Sequence, residues 1–440
     1  MSDILADSST PFLASPLGET SVEAAAEFLR AGAKPRAAWS SGLELELIGF
    51  TAPDSQRISP AQVRSVLERL APDPSKWELE GDDIVAVAIP SGRITLEPGG
   101  QIEFSGNARA TLHEIEADLR AYLADLVAIG DELGLYFLAI GFDPLRRLDE
   151  QKWIHKRRYT VMKPYLRSRG ARAWDMMTRT ASIQTSIDYS DEVDLGKKFV
   201  LGNRLGPIVA AMFANSPFAD GVATGRKSER YAAWLETDPD RSGVHSSALS
   251  PKFSLEAFVE RVFSTPLIFV DRNGQFEPGD GRTLRKLRGA TMADFTDALS
   301  TIFTEARIRP GYVEMRSADC GPAEDALALI AFWKGLTWDS ATLDAALDIA
   351  PMLSAKEFVD LQTDVAARGL EARAHGVGVL GVARDVGALA VQGLNCVAKD
   401  EAHYLDALNE RIVAVGSPVV IPLKAAPSEL SRLVDMRRLR

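Results

Sequence analysis

Residues 93–106, RITLEPGGQIEFSG, constrain the fold of this chain more than any other stretch of its sequence. Two β-prone runs flank a Pro-Gly-Gly turn, which is the usual pattern of a β-hairpin. Each run also carries an acid, Glu97 or Glu103, among residues that otherwise suit burial. The pattern therefore predicts an antiparallel pair of strands that brings two carboxylates close together.

A second predicted strand carries two more acids. Residues 39–50, WSSGLELELIGF, alternate strictly between apolar and polar side chains. On a strand this spacing places Glu44 and Glu46 on one face and the leucines on the other. A plain surface strand, with its leucines in the core and its glutamates in water, would explain this segment taken alone.

Residues 180–190 (TASIQTSIDYS) and 311–318 (GYVEMRSA) are further predicted strands. The second carries Glu314, with Arg316 two residues on and therefore on the same face. Helical patterns lie between the strands and dominate the chain after about residue 322. Because strands and helices are mixed rather than strictly alternating, we expect an α+β fold with an antiparallel sheet.

The acids on these strands predict a metal site. Neighbouring carboxylates on one sheet face repel each other and cost stability unless a cation neutralises them. Oxygen ligands of this kind suit Mg²⁺ or Mn²⁺ better than zinc. We therefore expect one acidic sheet face that holds divalent cations, formed by Glu44, Glu46, Glu97, Glu103 and Glu314.

Residues 151–172 form a basic segment in an acidic protein. They carry eight Lys or Arg residues and no acid, whereas the whole chain of 440 residues has a net charge of −11. Interleaved aromatic residues give the segment some likeness to a nucleic-acid patch, and a solvated helix face is a further interpretation. We favour binding of nucleotide phosphates and a substrate carboxylate, because the remaining surface would repel a polyanion. Arg241, in a loop between acids, is another candidate anion ligand.

The sequence indicates neither a secretory nor a membrane protein. The N-terminal residues lack a basic stretch followed by an apolar core, and no apolar run reaches roughly 18 residues. The two cysteines, Cys320 and Cys396, form neither a CxxC pair nor a disulfide framework. We expect a cytoplasmic protein that binds small molecules, with no nucleic-acid or membrane partner, as a monomer or homodimer.

Several motifs together resemble the plant and proteobacterial type of glutamate–cysteine ligase. They include SGLELELIGF, ITLEPGGQIEFSG, KRRYTVMKPYL, TDPDRSG and YVEMRSADCGP, and they occur in family order. The resemblance implies a glutamine-synthetase-like catalytic domain over residues 38–340, with a curved antiparallel sheet flanked by helices. An N-terminal helical arm would occupy residues 1–37, and a helical C-terminal region over 341–440 would pack on the same core.

The resemblance also implies roles for individual residues. Arg316 and Arg179 would act on developing charge as catalytic residues, and Arg241 would hold the α-carboxylate of glutamate. The other substrate-binding residues would be Lys156, Arg157, Arg158 and Tyr159. Two or three Mg²⁺ ions would be held by Glu44, Glu46, Glu97, Glu103, Gln184 and Glu314.

The implied reaction is ATP-dependent ligation. The γ-carboxylate of glutamate would become an acyl phosphate, which the amine of cysteine would attack in the first step of glutathione-type thiol synthesis. Such a reaction needs no enzyme nucleophile, and the sequence contains no nucleophile motif. Thr185, Ser186 and Cys320 depart from the family pattern, so a different acceptor amine is the first alternative. A non-catalytic homologue is the second, and a nucleic-acid-binding module the third.

Overall fold

The computed structural model describes residues 20–52, 54–244, 246–250, 252–413 and 439. Within them, nine strands form one main sheet, and three two-stranded hairpins accompany it. The strands are β1 (Ser41–Thr51), β2 (Trp77–Glu80), β3 (Asp83–Ile89), β4 (Gly92–Leu96), β5 (Ile102–Gly106), β6 (Leu135–Leu138), β7 (Ser182–Asp188), β8 (Phe218–Ala219), β9 (Val222–Ala223), β10 (Phe269–Arg272), β11 (Gln275–Pro278), β12 (Ala306–Arg309), β13 (Tyr312–Asp319), β14 (Arg373–Ala374) and β15 (Val377–Gly378).

The main sheet is antiparallel at every described strand pair. Its order is β12-β13-β7-β1-β5-β4-β3-β2, and β6 pairs with the far end of β1. The predicted hairpin is confirmed as β4 and β5, and β1 separates it from β7 and β13. The three acid-bearing elements predicted from the sequence therefore lie in one sheet, and the α+β prediction is confirmed.

The helices account for the rest of the described secondary structure, apart from short 3-10 turns. They are α1 (Val22–Arg30), α2 (Pro60–Leu70), α3 (Leu112–Leu133), α4 (Arg157–Arg167), α5 (Ala173–Arg179), α6 (Glu192–Met212), α7 (Glu229–Leu235), α8 (Ser246–Leu249), α9 (Leu255–Ser264), α10 (Met292–Ser300), α11 (Ala323–Thr337), α12 (Ser340–Ile349), α13 (Ala355–Arg368), α14 (Val379–Val397) and α15 (Asp406–Val413). None of the described helices is both long and apolar enough to cross a membrane.

Helix ends follow their local sequence. In α3, Thr111 and Glu114 form a capping box, and Gly134 ends the helix in the left-handed conformation with φ of 66°. In α2, Ser59 caps the helix, with Pro60 at its first position. These local sequence signals fix where both helices begin and where α3 ends.

The core lies against the leucine-bearing face of the sheet. Leu43, Leu45 and Leu47 of β1 are buried, whereas Glu44 between them is half-buried. Helix α6 is buried along most of its length. One continuous cluster of buried apolar side chains extends from Ala25 in α1 to Ile412 in α15. With helices on one face, the acid-bearing face is left open to form a site.

Candidate active site

A cavity of about 680 Å³ lies over the acid-bearing face of the main sheet. Residues from β1, β4, β5, β7, β12 and β13 line its floor, and residues from α4, α5 and β10 form part of its walls. Its volume is in the range of pockets that bind small-molecule ligands. All the predicted metal ligands and most of the predicted substrate-binding residues line this single cavity.

Four of the predicted acids meet across the strands that form the floor. Glu46 on β1 lies directly opposite Glu103 on β5, and Glu44 lies opposite Gln184 on β7. Glu97 follows the last residue of β4 and begins the turn of the hairpin. The pairing register therefore brings together carboxylates that are far apart in the sequence.

Burial and mutual repulsion disfavour the charged forms of two of these acids. Burial, with the nearby charges of Glu97 and Glu103, raises the pKa of Glu46 to about 8. Burial and the charge of Glu97 also raise the pKa of Glu103. The contacts at Glu46 are the backbone N–H of Ser182, at 2.7 Å, and the side-chain amide of Gln184, at 3.3 Å.

This donor set fits a divalent cation that also has ligands other than protein carboxylates. No group of three or more His, Cys, Asp or Glu side chains within the described ranges is arranged to hold a metal ion by itself. Mg²⁺ commonly takes one or two carboxylates and completes its octahedron with water and substrate phosphate oxygens. Glu46, Glu97 and Glu103, with Glu44 nearby, suit that kind of site.

Glu314 differs from the other acids because two arginines neutralise it. Arg307, its partner on β12, donates to both carboxylate oxygens at 2.7 and 3.1 Å. Arg316 donates to it at 2.8 Å. Burial alone would raise the pKa of Glu314, but these guanidiniums outweigh burial and lower that pKa to about 2. The geometry suits a carboxylate that orients arginines, and the metal-binding role of Glu314 stays a prediction.

Arg316 lies at an irregularity in β13 and lines the cavity. The pairing between β13 and β7 shifts register between Met315 and Ala318, as in a β-bulge. Arg316 also donates to the side-chain oxygen of Gln184 at 2.6 Å. Gln184 thus connects the arginine to Glu46, and the cationic and acidic halves of the floor meet at this amide.

The start of α4 supplies basic side chains to the cavity, as the sequence predicts. Lys156, Arg157, Arg158 and Tyr159 all line it. The Lys156 ammonium and the Tyr159 hydroxyl both donate to the carbonyl of Leu96, at 2.8 and 3.1 Å. Burial and the charge of Arg158 lower the pKa of Lys156 to about 8, against the opposing effect of Glu97 and Glu103.

Arg241 and Arg179 do not line the cavity, in contrast to the expectation from the sequence. Arg241 is fully buried and pairs with Asp238 at 2.6 Å, while its other donors contact Thr301, Tyr165 and a backbone carbonyl. Its hydrogen-bonding groups are used inside the protein in this structure, and its role in binding a substrate carboxylate stays a prediction from the family resemblance.

Arg179 is likewise buried beside the cavity. It pairs with Asp175 at 3.1 Å and with Asp220 at 2.6 Å. Because these partners are acids of the protein itself, Arg179 stabilises the end of α5 in this structure. Its catalytic role stays a prediction from the family resemblance.

Sequence reasoning missed several residues that line the cavity. Arg307 and Arg309 alternate along β12, so their spacing beside the Glu314 strand was a usable signal. No comparable signal marks Arg230 and Trp234 in α7, or the apolar residues of the walls. Those apolar residues are Met162, Met176, Met177, Phe269 and Phe276.

The family model and the relatives that match this chain all belong to one family. The profile of Glutamate-cysteine ligase family 2 (GCS2) matches residues 40–419. The chain is 34% identical over 420 residues to the chloroplastic glutamate–cysteine ligase of Brassica juncea, covering 93% of this chain and 81% of the relative. It is 33% identical over 420 residues to the Arabidopsis thaliana chloroplastic enzyme, covering 93% and 80%.

A solved structure shares the fold at low sequence identity. The glutamate–cysteine ligase of Francisella tularensis, crystallised in complex with AMP, matches with a TM-score of 0.55 and 13% identity. The match covers 91% of this chain and 87% of that one.

Proposed function

Because the chain belongs to glutamate–cysteine ligase family 2 and is therefore a carbon–nitrogen ligase, we propose that it joins the γ-carboxylate of L-glutamate to the amine of L-cysteine, with Mg²⁺ and ATP. The arrangement of side chains on the floor of the cavity supports this proposal. There the register places Glu46 opposite Glu103, and Gln184 links Glu46 to Arg316. In this proposal, the acidic half of the floor, which would bind metal-bound phosphate, adjoins the cationic half, which would bind anions.

The acidic half of the floor is the proposed cation site. Glu46, Glu97 and Glu103, with Glu44 and Gln184, would hold two or three Mg²⁺ ions together with phosphate oxygens of ATP. Mg²⁺ bound there would neutralise those oxygens and favour in-line transfer of the γ-phosphoryl group. The raised pKa of Glu46 supports this role, because a nearby cation would stabilise the carboxylate that burial disfavours.

The cationic half would bind the phosphates and the reacting carboxylate. Arg316, with Glu314 and Gln184 fixing its guanidinium, would stabilise charge on the transferring phosphoryl group. Lys156 and Arg158, at the start of α4, would contact phosphate oxygens as well. The apolar side chains in the walls offer a surface on which a nucleotide base could stack.

The proposed reaction has two steps, phosphoryl transfer and then amide formation. A γ-carboxylate oxygen of glutamate attacks the γ-phosphorus of ATP, and ADP leaves. The amine of the acceptor then attacks the carbonyl carbon of the acyl phosphate, inorganic phosphate leaves, and the nitrogen releases its extra proton to solvent. The protein orients both substrates and excludes water, which would otherwise hydrolyse the acyl phosphate.

The departures from the family pattern lie outside the cavity. Thr185 donates to the carbonyl of Gly42, and Ser186 accepts from the N–H of the same residue. Cys320 is fully buried, and none of the three substituted residues lines the cavity. The reason for expecting a different acceptor amine is therefore weak, and cysteine is the favoured acceptor.

The test is ADP release from the purified protein with Mg²⁺-ATP and L-glutamate, with and without L-cysteine and a panel of other amines. Release stimulated by cysteine, with γ-glutamylcysteine identified by mass, is the expected result. Stimulation by another amine alone would keep the ligase chemistry and change the acceptor. Nucleotide binding without turnover for any amine would indicate a non-catalytic homologue.

A further inference from the structure

A buried ion pair, Arg57 with Asp143, contacts the turn of the acid-bearing hairpin on the side away from the cavity. Arg57 donates through Nη2 to the carbonyl of Gly99 at 2.6 Å and through Nη1 to Asp143 at 3.1 Å. The two side chains are 1% and 0% exposed, and neither lines the cavity. Arg57 thus contacts the turn without access to any substrate.

Asp143 is itself held in one orientation. It accepts hydrogen bonds from the backbone N–H groups of Leu145 and Arg146, at 2.9 and 3.0 Å, and from the side chain of Gln151 at 2.9 Å. A buried ion pair costs desolvation free energy and often adds little to stability compared with apolar packing. Its position here therefore calls for a role besides stability.

The turn is also fitted closely against α5. A Cβ atom on Gly99 would lie 2.3 Å from the carbonyl oxygen of Thr178, so the backbones touch with no space between them. The side chain of Gln101 donates to the carbonyl of Thr180 at 2.8 Å. Arg57 and the end of α5 together leave the turn little freedom to move.

Glu97 belongs to this turn through its backbone. Its N–H donates to the carbonyl of Gln101 at 3.0 Å, and its carbonyl accepts from Gly100 at 2.9 Å. A displacement of the turn would therefore move the Glu97 carboxylate directly. Glu103, within β5 and paired to β4, would move less.

We propose that Arg57, oriented by Asp143, is a positioning residue that fixes the turn so that Glu97 faces the divalent cation. This inference rests on the proposed function, since it assumes that the acidic floor binds metal. Residues that orient metal ligands without touching the metal commonly change metal affinity by tenfold or more when they are substituted.

The test measures Mn²⁺ binding directly, by electron paramagnetic resonance of free Mn²⁺ in the presence of a non-hydrolysable ATP analogue. Arg57→Lys keeps a positive charge, but an ammonium cannot reproduce the fork that reaches both Asp143 and Gly99. We expect its Mn²⁺ dissociation constant to rise by about tenfold. Gly99→Ala displaces the same turn from the α5 side and is expected to show the same defect.

Lys334→Gln is the matched control. It breaks a buried ion pair with Glu401, at 2.7 Å and with both side chains 2% exposed, that does not line the cavity. We expect it to lower the melting temperature and leave Mn²⁺ affinity unchanged. If Arg57→Lys does not fold, Asp143→Asn, which has nearly the same shape, replaces it.

The outcomes separate the two proposals. Folded Arg57→Lys with wild-type Mn²⁺ affinity would overturn the positioning role and leave the proposed function standing. If the wild-type protein itself binds no Mn²⁺, the metal site of the proposed function fails first. If Lys334→Gln loses as much Mn²⁺ affinity as Arg57→Lys, the loss reflects general destabilisation of the protein, and the positioning role is overturned.

Discussion

Glu46 and Glu103 lie directly opposite each other on neighbouring antiparallel strands. Neither carboxylate forms a contacting ion pair with any residue in the described part of the chain. Like charges at this spacing destabilise a sheet. The floor of the cavity thus contains two carboxylates that repel each other when both are charged, and a bound cation would remove that repulsion.

The first prediction concerns stability and pH in the absence of divalent metal. In the folded protein Glu46 keeps its proton up to a pKa of about 8, whereas the unfolded carboxyl titrates near 4.5. Between these values unfolding releases a proton, so rising pH lowers the free energy of unfolding. We expect Glu46→Gln to become more stable than wild type by of the order of 5 kcal/mol at about pH 8, and this advantage to vanish towards pH 4.5.

Urea unfolding of both proteins across this pH range, in a chelator, measures the difference. Excess Mg²⁺ should remove the advantage of Glu46→Gln by stabilising the wild type. The variant should also lose ATP turnover, because it removes a proposed metal ligand. A pH-independent difference, or a variant with normal turnover, would argue against a charged Glu46 in the metal site.

The second prediction is that Glu314→Gln behaves in the opposite way. Removing this carboxylate would leave Arg307 and Arg316 without their shared buried partner. We expect a loss of about 3–5 kcal/mol in the free energy of unfolding at neutral pH, with or without Mg²⁺. Urea unfolding again measures it. A variant that is as stable as wild type, inactive and defective in Mn²⁺ binding would instead make Glu314 a metal ligand.

The contrast between these glutamates shows what the sequence could predict. The hairpin and the acids on it follow from local signals, a turn and a period of two, which act over a few residues. The same alternation puts Glu314 on the acidic face. The alternation does not reveal that Arg307, on the preceding strand β12 and paired with Glu314, neutralises that carboxylate.

Residues that tertiary packing brings to the cavity were beyond local reasoning. Arg230 comes from a helix that carries no motif, and it donates to the carbonyls of Arg316 and Ser317 at the irregular part of β13. For Arg241, the loop sequence shows that an arginine lies close to two aspartates. Whether the guanidinium faces Asp238 or a ligand depends on the packing of Thr301 and Tyr165 around it.

The third prediction follows from the buried position of Arg241. Arg241→Ala removes the ion pair with Asp238 and the contacts that hold the segment around Thr301, which lines the cavity. We expect the free energy of unfolding to fall by about 3 kcal/mol, and KM for glutamate and for ATP to rise together. Steady-state kinetics and thermal unfolding measure both. A normal melting temperature with a raised KM for glutamate alone would instead support direct binding of the substrate carboxylate by Arg241.

The fourth prediction uses the buried ammonium of Lys156. Because its pKa in the free protein is lowered to about 8, the side chain loses its charge as pH rises through that value. If Lys156 contacts phosphate, kcat/KM for Mg²⁺-ATP should fall about tenfold for each pH unit above 8. Lys156→Arg stays charged throughout this range, so its profile should lack this fall even if its absolute rate is lower. An identical fall in both proteins would assign the titration to another group, and a flat wild-type profile would exclude Lys156 from phosphate binding.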